Sequence, residues 1–89
     1  MSEYTRQKHK SVELINERLH DIAKRKRTTI TKITWSDIDN RENHALLVEN
    51  KSLSSTCDIT DEALADYQGR SGTEITEELL ESLIDRLIQ

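Results

Sequence analysis

The chain contains no proline and no phenylalanine, and among its 89 residues it has two glycines and one cysteine. The single Cys57 excludes an internal disulfide and fits a reducing compartment. With only Tyr4, Trp35 and Tyr67 as aromatic residues, the core must consist mainly of Leu, Ile and Val, and little is left for stacking on RNA bases. No run approaches the roughly 18 consecutive apolar residues that span a bilayer, and the first ten residues are polar. We therefore expect a cytoplasmic protein that does not enter a membrane.

A chain of this length predicts one domain, residues 1–89. Such a domain buries only about 60–65% of its unfolded surface, and apolar residues make up 34% of this chain. The predicted core is therefore thin, and self-association would be one way to bury more apolar surface.

Charge is unevenly distributed along the chain. Residues 1–33 carry nine Lys and Arg against four Asp and Glu, a balance of +5, whereas residues 34–89 carry four against thirteen, a balance of −9. This asymmetry indicates either that the basic segment folds onto the acidic remainder or that it meets a partner.

The N-terminal third has helical periodicity. Val12, Ile15, Leu19 and Ile22 follow a three-four-three spacing, which predicts an amphipathic helix over residues 5–26. A helix of this length measures about 33 Å at ~1.5 Å per residue, which is long for a small domain. We therefore expect residues 1–10 to fray or project.

Three strands are predicted next. Residues 28–38 are rich in β-branched residues and contain Trp35, residues 44–49 contain a short apolar run, and residues 53–59 alternate apolar with polar side chains. The short connection between the last two strands predicts a β-hairpin.

Helix signals return after the hairpin. Thr60 or Asp61 can cap a short helix over residues 61–68, and Gly69 suits the position after its end. Ser71 and Glu74 fit a capping box for a final helix. The resulting expectation is an α+β fold with a long N-terminal helix, a three-stranded antiparallel sheet and two C-terminal helices packed on one face.

The apolar stripe of the final helix covers nearly half of its circumference, which is wider than one sheet contact needs. Part of it could meet the first helix or a second subunit. We therefore predict a protein interface, in a homodimer or with another protein, formed by Val12, Ile15, Leu19, Ile22, Leu80, Ile84, Leu87 and Ile88.

The stretch from Lys24 to Arg27 contains four consecutive cations. Together with Arg18, these residues (Lys24, Arg25, Lys26 and Arg27) could neutralise phosphates of a nucleic acid. The alternative is structural, since cations in a last helical turn favour the negative end of the helix dipole. The acidic row on the same helix favours this second reading.

No metal or cofactor is predicted. The histidines and Cys57 lack paired ligand spacings, and residues 37–42 begin like a calcium loop but lack its glycine. Cys57 and His44 could meet across the hairpin as a nucleophile and base. The simpler interpretation places Cys57 in the core, so we do not predict an enzyme.

A short stretch after the hairpin carries a resemblance. Cys57, Ile59, Thr60, Glu62, Ala63 and Leu64 match the pattern C-x-I-[ST]-x-E-A-L, and Trp35 lies 22 residues before Cys57. Over residues 35–65 the chain is similar to a small bacterial family of uncharacterised domains, although a long basic helix precedes its first strand. The resemblance implies a hairpin followed by a helix and implies no chemistry.

Taken together, these patterns predict a small non-enzymatic interaction or regulatory module that acts through protein contacts or self-association. Nucleic-acid binding by the basic end of the first helix is the alternative.

Overall fold

The computed structural model of the chain describes residues 3–67 and 77–88. Within these residues the elements run in the order α-β-β-β-α-α, which confirms the predicted α+β fold. They are α1 (Glu3–Arg25), β1 (Lys32–Trp35), β2 (His44–Glu49), β3 (Ser54–Ile59), α2 (Asp61–Asp66) and α3 (Glu77–Asp85). No helix in this part of the chain is long and apolar enough to cross a membrane.

The three strands form one antiparallel sheet with β2 in the centre. Leu46 pairs with Trp35 of β1 on one side and with Cys57 of β3 on the other. Alternate residues of β2 are buried, so one face of the sheet meets the helices. Leu47 lies on the opposite face and is half-buried.

The core lies between this sheet and the helices α1 and α3. Its central side chains have 0–1% of their surface exposed, and they come from α1, from the sheet and from α3. They include Ile15, Leu19 and Ile22 of α1, Leu46 and Val48 of β2, and Leu80, Leu83 and Ile84 of α3. The wide stripe of α3 is therefore used within one chain.

This packing corrects most of the predicted protein interface. Six of its eight residues are buried in the chain's own core and cannot face a partner: Ile15, Leu19, Ile22, Leu80, Ile84 and Leu87. Val12 is half-buried against the same core. Ile88 alone among the eight is exposed, at 49%.

The observed boundaries differ from the expectation at three places. β1 is only Lys32–Trp35, because Ile30 and Ile38 pack against the core from the flanking loops. β3 begins at Ser54, which leaves Leu53 in the turn with 39% of its surface exposed. α2 ends at Asp66, and the predicted positions Gly69, Ser71 and Glu74 lie outside the described residues.

The start of α1 is held against the fold. Tyr4 and Lys8 both donate hydrogen bonds to Asp61, the first residue of α2. The expectation that residues 1–10 fray or project is therefore corrected for residues 3–10. The predicted cap of α2 is confirmed at Thr60, whose hydroxyl accepts from the backbone N–H of Ala63 at 3.1 Å.

α1 ends in a Schellman motif. The N–H of Thr28 donates to the carbonyl of Ala23 at 2.9 Å, and the N–H of Arg27 donates to the carbonyl of Lys24 at 3.1 Å. Arg27 has a φ of 61°, the left-handed conformation that this motif requires. Glycine usually occupies this position, because a Cβ atom costs about 1 kcal/mol there.

We expect Arg27→Gly to stabilise the fold relative to Arg27→Ala by about 1 kcal/mol, since glycine removes the Cβ clash. For a domain of this size that corresponds to a rise in Tm of about 4–8 °C, measurable by thermal unfolding. The matched control is Lys24→Gly in the helix interior, which should lower the free energy of unfolding by about 1 kcal/mol. A lower Tm for Arg27→Gly than for Arg27→Ala would contradict the assignment of the cap.

Candidate functional site

Two polar regions of the structure are candidates for function. The first is a partly buried group of four side chains, Tyr4, Lys8, His44 and Asp61, which we call the Asp61 cluster. Oδ1 of Asp61 accepts hydrogen bonds from Lys8 Nζ at 2.9 Å and from His44 Nε2 at 2.7 Å. Its Oδ2 accepts from the Tyr4 hydroxyl at 2.6 Å.

Each member of the Asp61 cluster comes from the end of an element. Tyr4 and Lys8 are one helical turn apart near the start of α1, and His44 opens β2. Asp61 follows the Thr60 cap in the first turn of α2, where the helix dipole favours a negative charge. One carboxylate therefore ties both of these helices to the central strand.

The Asp61 carboxylate is held in its charged form. Burial alone would raise its pKa, but hydrogen bonds from Lys8, Tyr4 and His44 outweigh burial and lower the pKa below its ordinary value. The hydrogen bond between the Tyr4 hydroxyl and Asp61 also raises the pKa of Tyr4 to about 12. Lys8 has 1% of its surface exposed and donates a second hydrogen bond to the carbonyl of Asn40 at 2.9 Å. The buried ammonium is thus paired and bonded on two sides.

The histidine of the cluster is fully buried. Because the carboxylate of Asp61 can only accept, His44 Nε2 carries the hydrogen. The other ring nitrogen, Nδ1, has no hydrogen-bond partner among the described residues.

The pairing of Cys57 with His44, which the sequence allows but does not favour, is not formed in this arrangement. His44 stands opposite Ile59, Cys57 stands opposite Leu46, and the imidazole bonds to Asp61. Burial raises the pKa of the Cys57 thiol, which disfavours the thiolate that acts as nucleophile. Lys8 and His44 are fully buried, whereas Tyr4 and Asp61 keep part of their surface exposed. The hydrogen bonds of the cluster hold α1 and α2 to β2.

Three of the residues predicted to bind nucleic acid form ion pairs with acidic residues of α3. Arg18 bonds to Glu77 through two nitrogens and lowers the pKa of that carboxyl. Arg25 bonds to Glu81 at 2.7 Å and Lys26 bonds to Asp85 at 2.6 Å, which links the end of α1 to α3. The basic segment thus folds onto the acidic remainder, one of the two interpretations of the charge asymmetry.

The other two predicted cations, Lys24 and Arg27, are exposed and form no ion pair within residues 3–67 and 77–88. The second candidate region includes Arg27. It lies at the end of the molecule where the β2–β3 turn meets the end of α3. Here the side-chain oxygen of Asn50 accepts from the backbone N–H of Ser52 and of Leu53, at 2.9 and 2.7 Å. Its amide donates to the carbonyl of Leu87 at 2.8 Å.

The exposed apolar residues belong to the two segments that this Asn50 bridge joins, because the backbone N–H of Leu53 donates to Asn50 and Ile88 follows Leu87 in the chain. Leu53 and Ile88 are the large hydrophobic side chains that the described part of the chain leaves exposed. Beside them is an open hollow of about 290 Å³. It is lined by Arg27, Thr28, Thr29, Asn50, Lys51 and Ser52. We call the hollow together with Leu53 and Ile88 the turn end.

Metal binding finds no support in the described residues, since no group of three or more His, Cys, Asp and Glu side chains converges there. His9 Nε2 is instead 3.0 Å from a carboxylate oxygen of Asp39.

Comparison of the chain with family models, with curated proteins and with solved structures finds no match. The resemblance over residues 35–65 therefore stays a prediction. The hairpin and following helix that it implies are present, and they also follow from the local pattern of strand, Thr60 cap and helix.

The sequence indicated Arg27 and Ile88 as candidate binding residues, but it predicted neither the Asp61 cluster nor the grouping of residues at the turn end. A usable signal existed for the Asp61 cluster, because positions 4, 8, 11, 15, 19 and 22 continue one stripe of α1, which places Lys8 and Ser11 on the buried side. A lysine on such a stripe requires a buried acceptor. The turn end gives no comparable signal, since it brings together residues about 25 and 60 positions apart.

We expect Lys8→Met to destabilise the protein by about 2–4 kcal/mol at neutral pH, because it leaves the Asp61 carboxylate without its ammonium partner. Chemical denaturation of the purified variant measures this change. Lys10→Met, at an exposed position of the same helix, should change the free energy of unfolding by about 0.5 kcal/mol or less. Equal effects of the two substitutions would contradict the role of Lys8.

Stability should also fall on acidification. The pKa of Asp61 is lower in the folded state than the ordinary value of about 3.9, so its contribution is fully present above that pH and is lost as the pH falls toward the folded pKa. Urea midpoints between about pH 6 and pH 2 should therefore drop less steeply for Asp61→Asn than for the unaltered protein. Glu62→Gln, at the exposed neighbouring acid, is the control and should keep the original slope.

Proposed function

We propose that the protein is a small non-enzymatic interaction module that binds another protein through the turn end. The observation that carries this proposal is the exposure of Leu53 and Ile88 in the two segments that Asn50 joins, while the other large apolar side chains of the described residues are buried or half-buried. Exposed apolar groups next to polar, charged ones are typical of protein contact sites.

The bridge supports the proposal because it makes the surface rigid. Asn50 bonds to the backbone at Ser52, Leu53 and Leu87, which joins the turn to the end of α3. A surface that is already ordered loses less conformational entropy on binding than a loose one.

Charge argues for a different protein and against a second copy at this site. A symmetric dimer through the turn end would bring Arg27 and Lys51 of one protomer against the same cations of the other. Like charges across an interface disfavour such a pair. The homodimer remains a separate prediction for other surfaces of the molecule.

Nucleic-acid binding is the second candidate. The observation that favours it is that Arg27 and Lys51 line the hollow, that Lys24 is exposed in the helical turn before Arg27, and that none of the three forms an ion pair within the described residues. Three phosphate contacts would give a slope of about −2.7 in the salt dependence of duplex binding. The aromatic side chains are engaged elsewhere, since Tyr4 bonds to Asp61, Trp35 bonds to Asn16 and Tyr67 is buried. Protein binding is therefore the better-supported function.

The unaltered chain is immobilised and incubated with a lysate of its source cells. We expect a Leu53→Ser, Ile88→Ser variant to lose the partner that the unaltered chain retains, because the two substitutions remove apolar surface that a partner would bury. Quantitative mass spectrometry of the retained proteins measures the loss. Leu47→Ser is the matched control on the outer face of the sheet and should retain the same partner. A partner retained equally by all three proteins would place the contact surface elsewhere and overturn the proposal.

Analytical ultracentrifugation of the same three proteins measures whether each of them is a monomer or a dimer. If Leu53→Ser, Ile88→Ser dissociates a dimer that Leu47→Ser preserves, then the turn end joins two copies of the chain and the assignment to a different protein is wrong.

A further inference from the structure

We propose that the hollow at the turn end binds a carboxylate of an acidic partner segment, and that Arg27 and Lys51 are the cations that recognise it. This inference rests on the proposed function, because it names the chemistry of the same partner: an Asp or Glu side chain next to apolar side chains that cover Leu53 and Ile88.

The first support comes from how the chain uses its cations. Arg18, Arg25 and Lys26 are satisfied by carboxylates of α3, and Lys8 is satisfied by Asp61. Arg27 and Lys51 have no such partner in the described part of the chain, although the chain as a whole carries a net charge of −4. Other cations of the described residues, such as Arg6, Lys10 and Lys32, also form no ion pair, but Arg27 and Lys51 line one hollow that has no Asp or Glu in its lining.

The second support is the backbone of Arg27. Its φ of 61° is the left-handed conformation of a helix cap, a position where glycine would be more stable. An arginine at this position costs stability and presents its guanidinium on a backbone that two hydrogen bonds hold, from the N–H of Arg27 and of Thr28. Backbone strain of this kind is often retained where the side chain has a function.

The third support is the chemistry of the remaining lining. Thr28, Thr29 and Ser52 place hydroxyl groups around the two cations. A guanidinium binds a carboxylate through two parallel hydrogen bonds, and hydroxyls can donate to any remaining lone pairs. No Asp or Glu lines the hollow, so no carboxylate of its lining competes with the ligand.

Another hollow on the same molecule provides the comparison. It lies along the start of α1 and is lined by Glu3, Arg6, Gln7, Lys10, Ser11 and Tyr67. It also contains two cations, but Glu3 supplies an internal anion, and neither of the large apolar side chains that the described residues leave exposed, Leu53 and Ile88, lines it. Arg6 and Lys10 are therefore the matched control for Arg27 and Lys51.

The experiment is a titration of the isotope-labelled full chain with a short peptide of alternating Glu and Leu, followed by amide NMR. We expect shifts confined to residues 27–29, residues 50–53 and the end of α3. Arg27→Gln with Lys51→Gln should weaken binding by roughly threefold to tenfold, the effect of losing surface ion pairs. Arg6→Gln with Lys10→Gln should leave the affinity unchanged.

Arg27→Gly separates recognition from folding. This variant should unfold at a higher temperature than the unaltered protein and yet bind the Glu–Leu peptide more weakly. A variant that is stabilised and binds with full affinity would overturn the role of Arg27.

Two further probes distinguish the remaining outcomes. A Gln–Leu peptide that binds as tightly as the Glu–Leu peptide would overturn carboxylate recognition and leave the apolar contact of the proposed function in place. A short DNA duplex that shifts residues 27–29 at about 50 mM salt, where the Glu–Leu peptide does not, would assign the hollow to phosphate and overturn the inference. The absence of shifts with every probe would also overturn it, while the capture experiment with Leu53→Ser, Ile88→Ser decides the proposed function independently.

Discussion

The fold depends on a single carboxylate. Asp61 accepts hydrogen bonds from Tyr4, Lys8 and His44, and these donors come from the first two turns of α1 and from the start of β2. The chain has few aromatic residues and a thin core. The Asp61 cluster therefore holds the N-terminal end of α1, which lies beyond the apolar contacts of that helix. Its three donors outweigh the cost of burial, which is why the pKa of Asp61 is lowered despite a largely enclosed site.

The opposite end of α1 is held by surface charge. Arg18, Arg25 and Lys26 pair with the acidic face of α3, alongside the buried contacts of Leu19 and Ile22. Each exposed pair adds little stability by itself, but together they align two helices and remove three cations from the free surface. Arg27 and Lys51 form no ion pair within the described residues and line one hollow at the turn end, and this is the physical basis of the proposed binding surface.

Much of the fold could be predicted from local patterns. The stripe through Ile15, Leu19 and Ile22 predicts α1, the alternation in β2 and β3 predicts the hairpin, and Thr60 marks the start of α2. These predictions succeed because periodicity and capping depend on neighbours within a few residues. The same stripe was misleading about function, since periodicity shows that a face is buried and does not show whether its cover comes from the same chain or from another.

By itself, the sequence determined the order of the elements, the α+β class and the composition of the core. Only the tertiary structure decided that Lys8 meets Asp61, that Arg25 and Lys26 are neutralised by α3, and that Arg27 comes to lie beside the β2–β3 turn. The physical reason is that charge and hydrogen-bond partners are chosen by position in space across tens of residues, whereas the backbone pattern is set by residues that are close along the chain. The residues of the candidate site are brought together by contacts in space between distant parts of the chain, and therefore the site could not be predicted from the sequence.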